Sequence, residues 1–254
     1  ALVNWMCQPD NPFFGRAIVN RIWAQFMGRG IVDPVDDFRA SNPPSNEPLL
    51  NWLARDFVAH RYDLKHLMRT IMQSRVYQLS SIPNEHNVRD TKNFARAYRR
   101  RLPAEVLLDA VCDFTGVREQ FDGLPPGSRA VETWNHKLGS EFMDAFGRPN
   151  SSAECPCERD SKPSVVQVLH LMNSNKLQSK LGSPEGRARK LAESSKSERE
   201  VIEELYMRAF SRAPTDEELR ISGKAFAVEG ATRKSAIEDV MWALINSAEF
   251  VFNH

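Results

Sequence analysis

Cysteine is scarce in this sequence: four residues in 254, at positions 7, 112, 155 and 157. That is too few for a disulfide-stapled scaffold and too scattered for a zinc ribbon. The haem-attachment pattern C-x-x-C-H does not occur, so a covalent haem would have to sit on a separate module. The six histidines form no H-E-x-x-H or H-x-H, and neither G-x-S-x-G nor a P-loop is present. Charge of one sign is lacking too. With 34 basic and 33 acidic residues the formal net charge is +1, which offers no global attraction to a nucleic acid. No apolar run reaches the roughly 18 residues that a membrane span needs. The opening, "ALVNWMCQPDN", carries no basic n-region and reads as an internal stretch of a longer polypeptide. What remains, 41% hydrophobic and 26% charged residues, is the composition of a globular protein able to bury a core in one large or two small domains.

Apolar residues recur at helical spacing almost throughout, which predicts a mainly α, multi-helix globular fold with long ordered loops and at most a tiny β element. Asn11-Pro12 reads as a cap followed by a first helical proline, and Phe14, Ala17, Ile18, Ile22 and Phe26 read as one face ending at Gly28. A proline-bearing loop follows, "RGIVDPVDDFRASNPPSN", expected to be ordered with Phe38 buried. Leu50, Leu53, Ala54 and Phe57 mark a second helix, and Asp63 caps a third carrying Leu64, Leu67, Met68, Ile71 and Leu79. Pro103 to Gly116 bounds another. Arg129 to Trp134 suggests a short strand and "SEFMDAFG" a short helix. Ser197 and Thr215, the latter with Glu218 three residues on, start further helices. The charged, serine-rich "EGRARKLAESSKSERE" reads as a hinge, dividing a main helical domain, 1–182, from a C-terminal helical subdomain, 183–254, packed on it.

Three groups could carry chemistry. Asp33, Asp36 and Asp37 lie within five residues beside Arg29 and Arg39. Such carboxylates can hold a cation or act as acid and base on a sugar, although the EF-hand spacing is absent. The plainer reading has them capping turns and pairing with Arg29 or Arg39. Around the first long helix, Arg16 and Asn20 share a face, with Arg21 and Trp23 beside it. If the acidic loop folds back, these residues and Arg39 line a polar cleft in which arginine could grip a carboxylate or phosphate; the plainer alternative is a buried network fixing the loop. Cys155 and Cys157, separated by Pro156, could be free thiols, a strained disulfide or one edge of a metal clip. "RAYRRRLP" is read as a solvated cluster or docking surface, and His170 as a core histidine.

Four stretches together carry a resemblance: "NPFFGRAIVNRIWAQFMGRGIVDPVDDFRASNPPSN", "YDLKHLMRTIMQSRVYQLSS", "FGRPNSSAECPCERDSKPSVVQVLHLMN", and "LYMRAFSRAPTDEELR" leading to "LINSAEFVFNH". They resemble a planctomycete-specific C-terminal domain of unknown function that is often joined to a cytochrome-c-like domain. The resemblance implies a secreted or periplasmic multidomain parent and no particular activity, cofactor or catalytic residue. Three functions follow as expectations. The leading one is a non-catalytic interaction or assembly module, partnered by other modules of the parent or by other proteins. The second is a hydrolase or lyase on extracellular polysaccharide, using Asp33, Asp36 or Asp37 with Arg21 and aromatic platforms such as Trp23. The third is a redox accessory using Cys155 and Cys157. No cofactor is expected in this chain.

Overall fold

The structure, a computed structural model, describes residues 1–6, 8, 11–133, 138–148 and 165–253. Among them are thirteen α-helices, with helix accounting for 54%. The two-residue ladder of β1 (Arg100–Arg101) with β2 (Phe252–Asn253) is the only sheet among the described residues. The mainly α expectation holds. The chain forms two compact units, Ala1–Arg100 and Arg101–Asn253, a different division from the one expected at 182/183.

The first unit contains α1 (Leu2–Met6), α2 (Phe14–Met27), α3 (Glu47–Ala59) and α4 (Leu64–Met72). Asn11 does act as a cap, its Oδ1 accepting from the N–H groups of Phe13 and Phe14, but α2 begins at Phe14, two residues after Pro12. It stops at Gly28, where φ of 79° suits a residue without a Cβ. Asn46 caps α3, with Pro48 in its first turn, and Asp63 caps α4 by accepting from Lys65 and His66. The buried stripe of α3 is Leu50, Leu53, Ala54 and Phe57, as its spacing predicts. On α2 the buried residues are Gly15, Val19, Asn20, Trp23 and Met27, whereas Ile18, Ile22 and Phe26 are only half-buried. The stripe is rotated by one position from the expected one, with Gly15 packed on α3, where a Cβ would meet Val58 Cγ2 at 3.4 Å, an ordinary contact. Each large side chain removed from water in this core contributes roughly 1.5–3 kcal/mol.

Residues 73–99 of this unit have no regular secondary structure, yet a polar hub orders them. The Asp90 carboxylate accepts from the backbone N–H groups of Lys92, Asn93 and Ala95 and from the Tyr98 hydroxyl. These donors, the Ala95 N–H foremost, hold its carboxyl well below the usual range. The hub fixes Phe94, whose ring meets Trp23 edge-on at 5.3 Å.

The second unit is built from α5 (Ala104–Thr115), α6 (Glu141–Ala145), α7 (Val165–Asn173), α8 (Asn175–Leu181), α9 (Arg187–Ala192), α10 (Glu198–Phe210), α11 (Asp216–Gly223), α12 (Arg233–Ile245) and α13 (Ala248–Val251). Leu107, Leu108, Val201, Leu205, Ile237 and Met241 form its centre. The segment expected to be a hinge is α9, which packs on α12. Ala188 and Leu191, three residues apart, are buried while Arg189 and Lys190 face outward and the half-buried Arg187 donates to the carbonyls of Phe114 and Asp113. The strand expected at 129–134 is instead a 3₁₀ turn, Ala130–Glu132. Buried Asp109 explains it, accepting from Ala130 N–H at 2.7 Å and Val131 N–H at 3.2 Å. Trp134 lies outside the described residues. Cys112 is buried and free, and burial pushes its thiol pKa up, as expected for a thiol acting as a small hydrophobe. His170 packs edge-on against Phe142 and Phe146, and burial lowers its pKa.

The capping boxes at Ser197 and Thr215 are both formed. The second joins a charge hub in which Arg212 donates two bonds to Glu218 and two to Glu249. Its guanidinium also lies over the Tyr206 and Phe210 rings. Glu218 is pulled down to about 2, first by the Arg212 hydrogen bond. Arg212→Met is expected to cost about 1–2 kcal/mol, discounted for the hub's partial exposure. Because the folded pKa of Glu218 lies below its unfolded value, its stabilisation is present above the unfolded value near 4.5 and fades as pH falls towards 2. Urea titrations at pH 7 and pH 3 measure this. The Arg212→Met penalty should be smaller at pH 3, and an equal penalty at both would exclude the hub as its source.

Candidate functional site

Fourteen residues of α2 run one way and the chain must return to start α3, crossing a segment with no helix or sheet to pair its backbone. Side chains supply the missing partners. Asn20, fully buried on α2, donates from Nδ2 to the carbonyls of Val32 and Val35 at 2.9 and 2.8 Å and accepts the Val32 N–H at 2.9 Å. Asn42 bonds the carbonyls of Asp33 and Asp37, and Ser45 bonds Ile31 through both N–H and hydroxyl. The Asp33–Pro34 peptide is cis. Ile31 and Val32 enter the core, and Phe38 is half-buried against it rather than buried.

Each carboxylate of the loop has its own arginine. Arg21 holds Asp36 bidentately at 2.9 and 2.8 Å, Arg39 holds Asp37 at 2.6 Å through two bonds, and Arg29 holds Asp33 at 3.2 Å. The Arg39 hydrogen bond keeps the Asp37 carboxyl below the usual range. A general acid and base on a sugar need one carboxyl protonated and another free, flanking a shared space. Here the acids point to three separate cations and Asp33 and Asp36 are exposed.

The concave surface nearby belongs to Arg16. On one side is a groove of about 410 Å³ between α2 and α3, lined by Asn11, Gly15, Arg16, Asn51, Arg55 and Val58 among others. On the other is a groove of about 250 Å³ walled by Pro12, Phe13, Arg16, Phe38, Arg39 and Glu47 among others. Arg16 is the charged residue common to both. Its Nη2 reaches Glu47 only at 3.5 Å, and its buried Nε has no partner among the described residues. Among the described residues Arg55 makes one bond, from Nε to the Asn51 carbonyl at 3.3 Å. No carboxylate among the described residues lines the larger groove.

Of the residues the sequence marks as a polar cleft, Arg16 and Arg39 line concave surface, while Asn20 and Arg21 hold the loop. Trp23 does not offer an aromatic platform. It is 2% exposed and belongs to the core, because the rotated stripe of α2 turns it inward. Cys155 and Cys157, with Cys7, lie outside the described residues. The basic run is dispersed: Arg96 stacks on Tyr98, Arg99 bonds Ser81, Arg100 bonds the Gln25 carbonyl, and Arg101 is buried over Phe146. Sequence reasoning missed Asn51 and Arg55, whose four-residue spacing puts them on one face of α3. It also missed Asp56, His60 and His66, whose potential ligand atoms all lie within 4.8 Å of one another, the only such metal-ligating group among the described residues.

Fold and site define a mainly helical protein with a cationic groove and a loop of internally paired acids. The chain belongs to the PSD1 family, a protein family of unknown function (DUF1553), whose model matches residues 1–226. No curated protein and no solved structure matches it. No helix among the described residues is long and apolar enough to cross a membrane.

Proposed function

We propose that this chain is a non-catalytic interaction module whose groove between α2 and α3 receives a carboxylate-bearing segment of a protein partner. One observation carries the reading: the groove presents Arg16 and Arg55 with no lining carboxylate among the described residues, while every acid of the neighbouring loop is engaged by an arginine of its own. Its volume of about 410 Å³ suits a few side chains. Asn51 adds an amide donor and acceptor, and Phe13, 60% exposed, offers an apolar edge on the neighbouring surface. The four stretches that resemble the planctomycete domain support placing the module in an exported, secreted or periplasmic multidomain protein, with any haem on a separate cytochrome-c-like module.

The test is a titration of the full chain with a short Glu-rich peptide, with an oligouronate of equal charge and with a neutral peptide, followed by amide and guanidinium NMR shifts. Saturable binding of the Glu-rich peptide is expected, weakened about tenfold by Arg16→Gln or Arg55→Gln and by added salt. Tighter binding of the oligouronate would move the ligand class to acidic polysaccharide. Turnover of that oligouronate, lost in Asp36→Asn with stability unchanged, would replace the module by the hydrolase or lyase reading.

A further inference from the structure

We propose that Asp56, His60 and His66 form a divalent transition-metal site that clamps the end of α3 to the start of α4. Imidazole with carboxylate is the donor set for zinc and its first-row neighbours, and three protein ligands leave at least one position for water. The positions follow from the two helices. Asp56 and His60 are four apart and so share a face of α3, on the opposite side of its core stripe from the groove residues Asn51 and Arg55. His66 lies in the first turn of α4, its backbone N–H held by the cap Asp63.

The geometry is close to that of a coordination shell. His66 Nε2 is 2.8 Å from Asp56 Oδ2, and His60 Nδ1 is 3.3 Å from Asp56 Oδ1. Two ligand atoms each about 2.1 Å from one ion stand roughly 3.0–3.4 Å apart, so an ion can take the place of the proton now shared between His66 Nε2 and the carboxylate, while His60 Nδ1, which bonds the Asp56 main-chain carbonyl at 2.8 Å, gives up that bond to become a ligand. His60 Nε2 and His66 Nδ1 have no partner among the described residues. A neutral ring therefore frees a lone pair by moving its proton to its other nitrogen, and a protonated ring must release one, which makes binding weaken in acid. One further adjustment is needed. The rings stack at 3.6 Å and 17°, and lone pairs in parallel planes cannot both aim at one ion. His60, at the C-terminal end of α3 with its side chain 48% exposed, is the ring with room to turn.

The experiment titrates the chelator-stripped full chain with Zn²⁺ by calorimetry and with Co²⁺ by visible absorption. It is repeated in a Cys155→Ser, Cys157→Ser double variant, which removes the thiolates as competing ligands. One ion per chain is expected in both backgrounds, with a melting temperature raised by Zn²⁺ and Co²⁺ bands lacking thiolate charge transfer. His60→Ala and His66→Gln should each weaken binding at least about tenfold, since even outer-shell losses cost that much. Circular dichroism of each metal-free variant confirms that it folds, and His60→Ala, at an exposed position, is the variant least able to disturb the core. Absence of a bound ion, binding unaltered by both histidine substitutions, or binding that vanishes only in the cysteine double variant would each overturn the site. None of these outcomes bears on the groove.

Discussion

Asn20→Ala is expected to cost the protein about 3–5 kcal/mol. Three backbone groups of the loop, the carbonyls of Val32 and Val35 and the N–H of Val32, depend on this one buried amide. Each orphaned buried group costs roughly 1–3 kcal/mol, and water reaching the partly exposed Val35 side recovers some of it. Asn20→Asp separates hydrogen bonding from packing. It fills the same volume but turns both donated bonds into contacts between a carboxylate and carbonyl oxygens, so its loss should equal or exceed that of Ala. Asp36→Asn is the contrast, because the Arg21–Asp36 pair is exposed on both sides and is worth less than about 1 kcal/mol. Urea denaturation of the three variants decides the order. A loss below 1 kcal/mol for Asn20→Ala would mean that Asn42, Ser45 and the core side chains hold the loop without it.

That ranking inverts the impression left by the bare sequence, in which the cluster of aspartates is the conspicuous feature and Asn20 one polar residue on an amphipathic helix. The reason is physical. Pairing partners close in sequence, Arg29 for Asp33 and Arg39 for Asp37, are legible from spacing, as are the caps Asp63, Ser197 and Thr215 and the α3 stripe, because all are set within a turn or two of chain. What requires the loop to fold back is not. The Arg21–Asp36 bond spans fifteen residues, and the groove wall formed by Asn51 and Arg55 meets Arg16 only after α3 packs on α2. Trp23 shows the limit most clearly. Periodicity identifies α2 as amphipathic, but the facing surface chooses which flank is buried. Gly15 against Val58 and Phe94 against Trp23 shift that choice by one position along the helix. The two histidines escaped notice for a related reason: their partner carboxylate is shared across a turn between helices rather than within one motif.

Gly30→Ala should lower stability by about 2–4 kcal/mol, and the sign of the effect is itself informative. Where glycine already adopts a conformation open to alanine, adding a methyl group stabilises by about 0.4–1 kcal/mol through the unfolded chain. At Gly30 the space is missing. A Cβ would stand 2.2 Å from the Val32 carbonyl oxygen and 3.0 and 3.1 Å from the two polar atoms of the Asn20 amide. Carbon and oxygen in ordinary contact need about 3.5 Å, so the backbone of residues 30–32 must move, and the Val32 carbonyl leaves Asn20 Nδ2 as it does. The penalty therefore flows through the same hydrogen bonds that Asn20→Ala removes, and the two substitutions cannot add. In the double variant the combined loss should fall short of the sum by about 1–3 kcal/mol. Full additivity would show that Gly30 and Asn20 act on independent features, and the amide could then no longer be the reason that residue 30 is glycine.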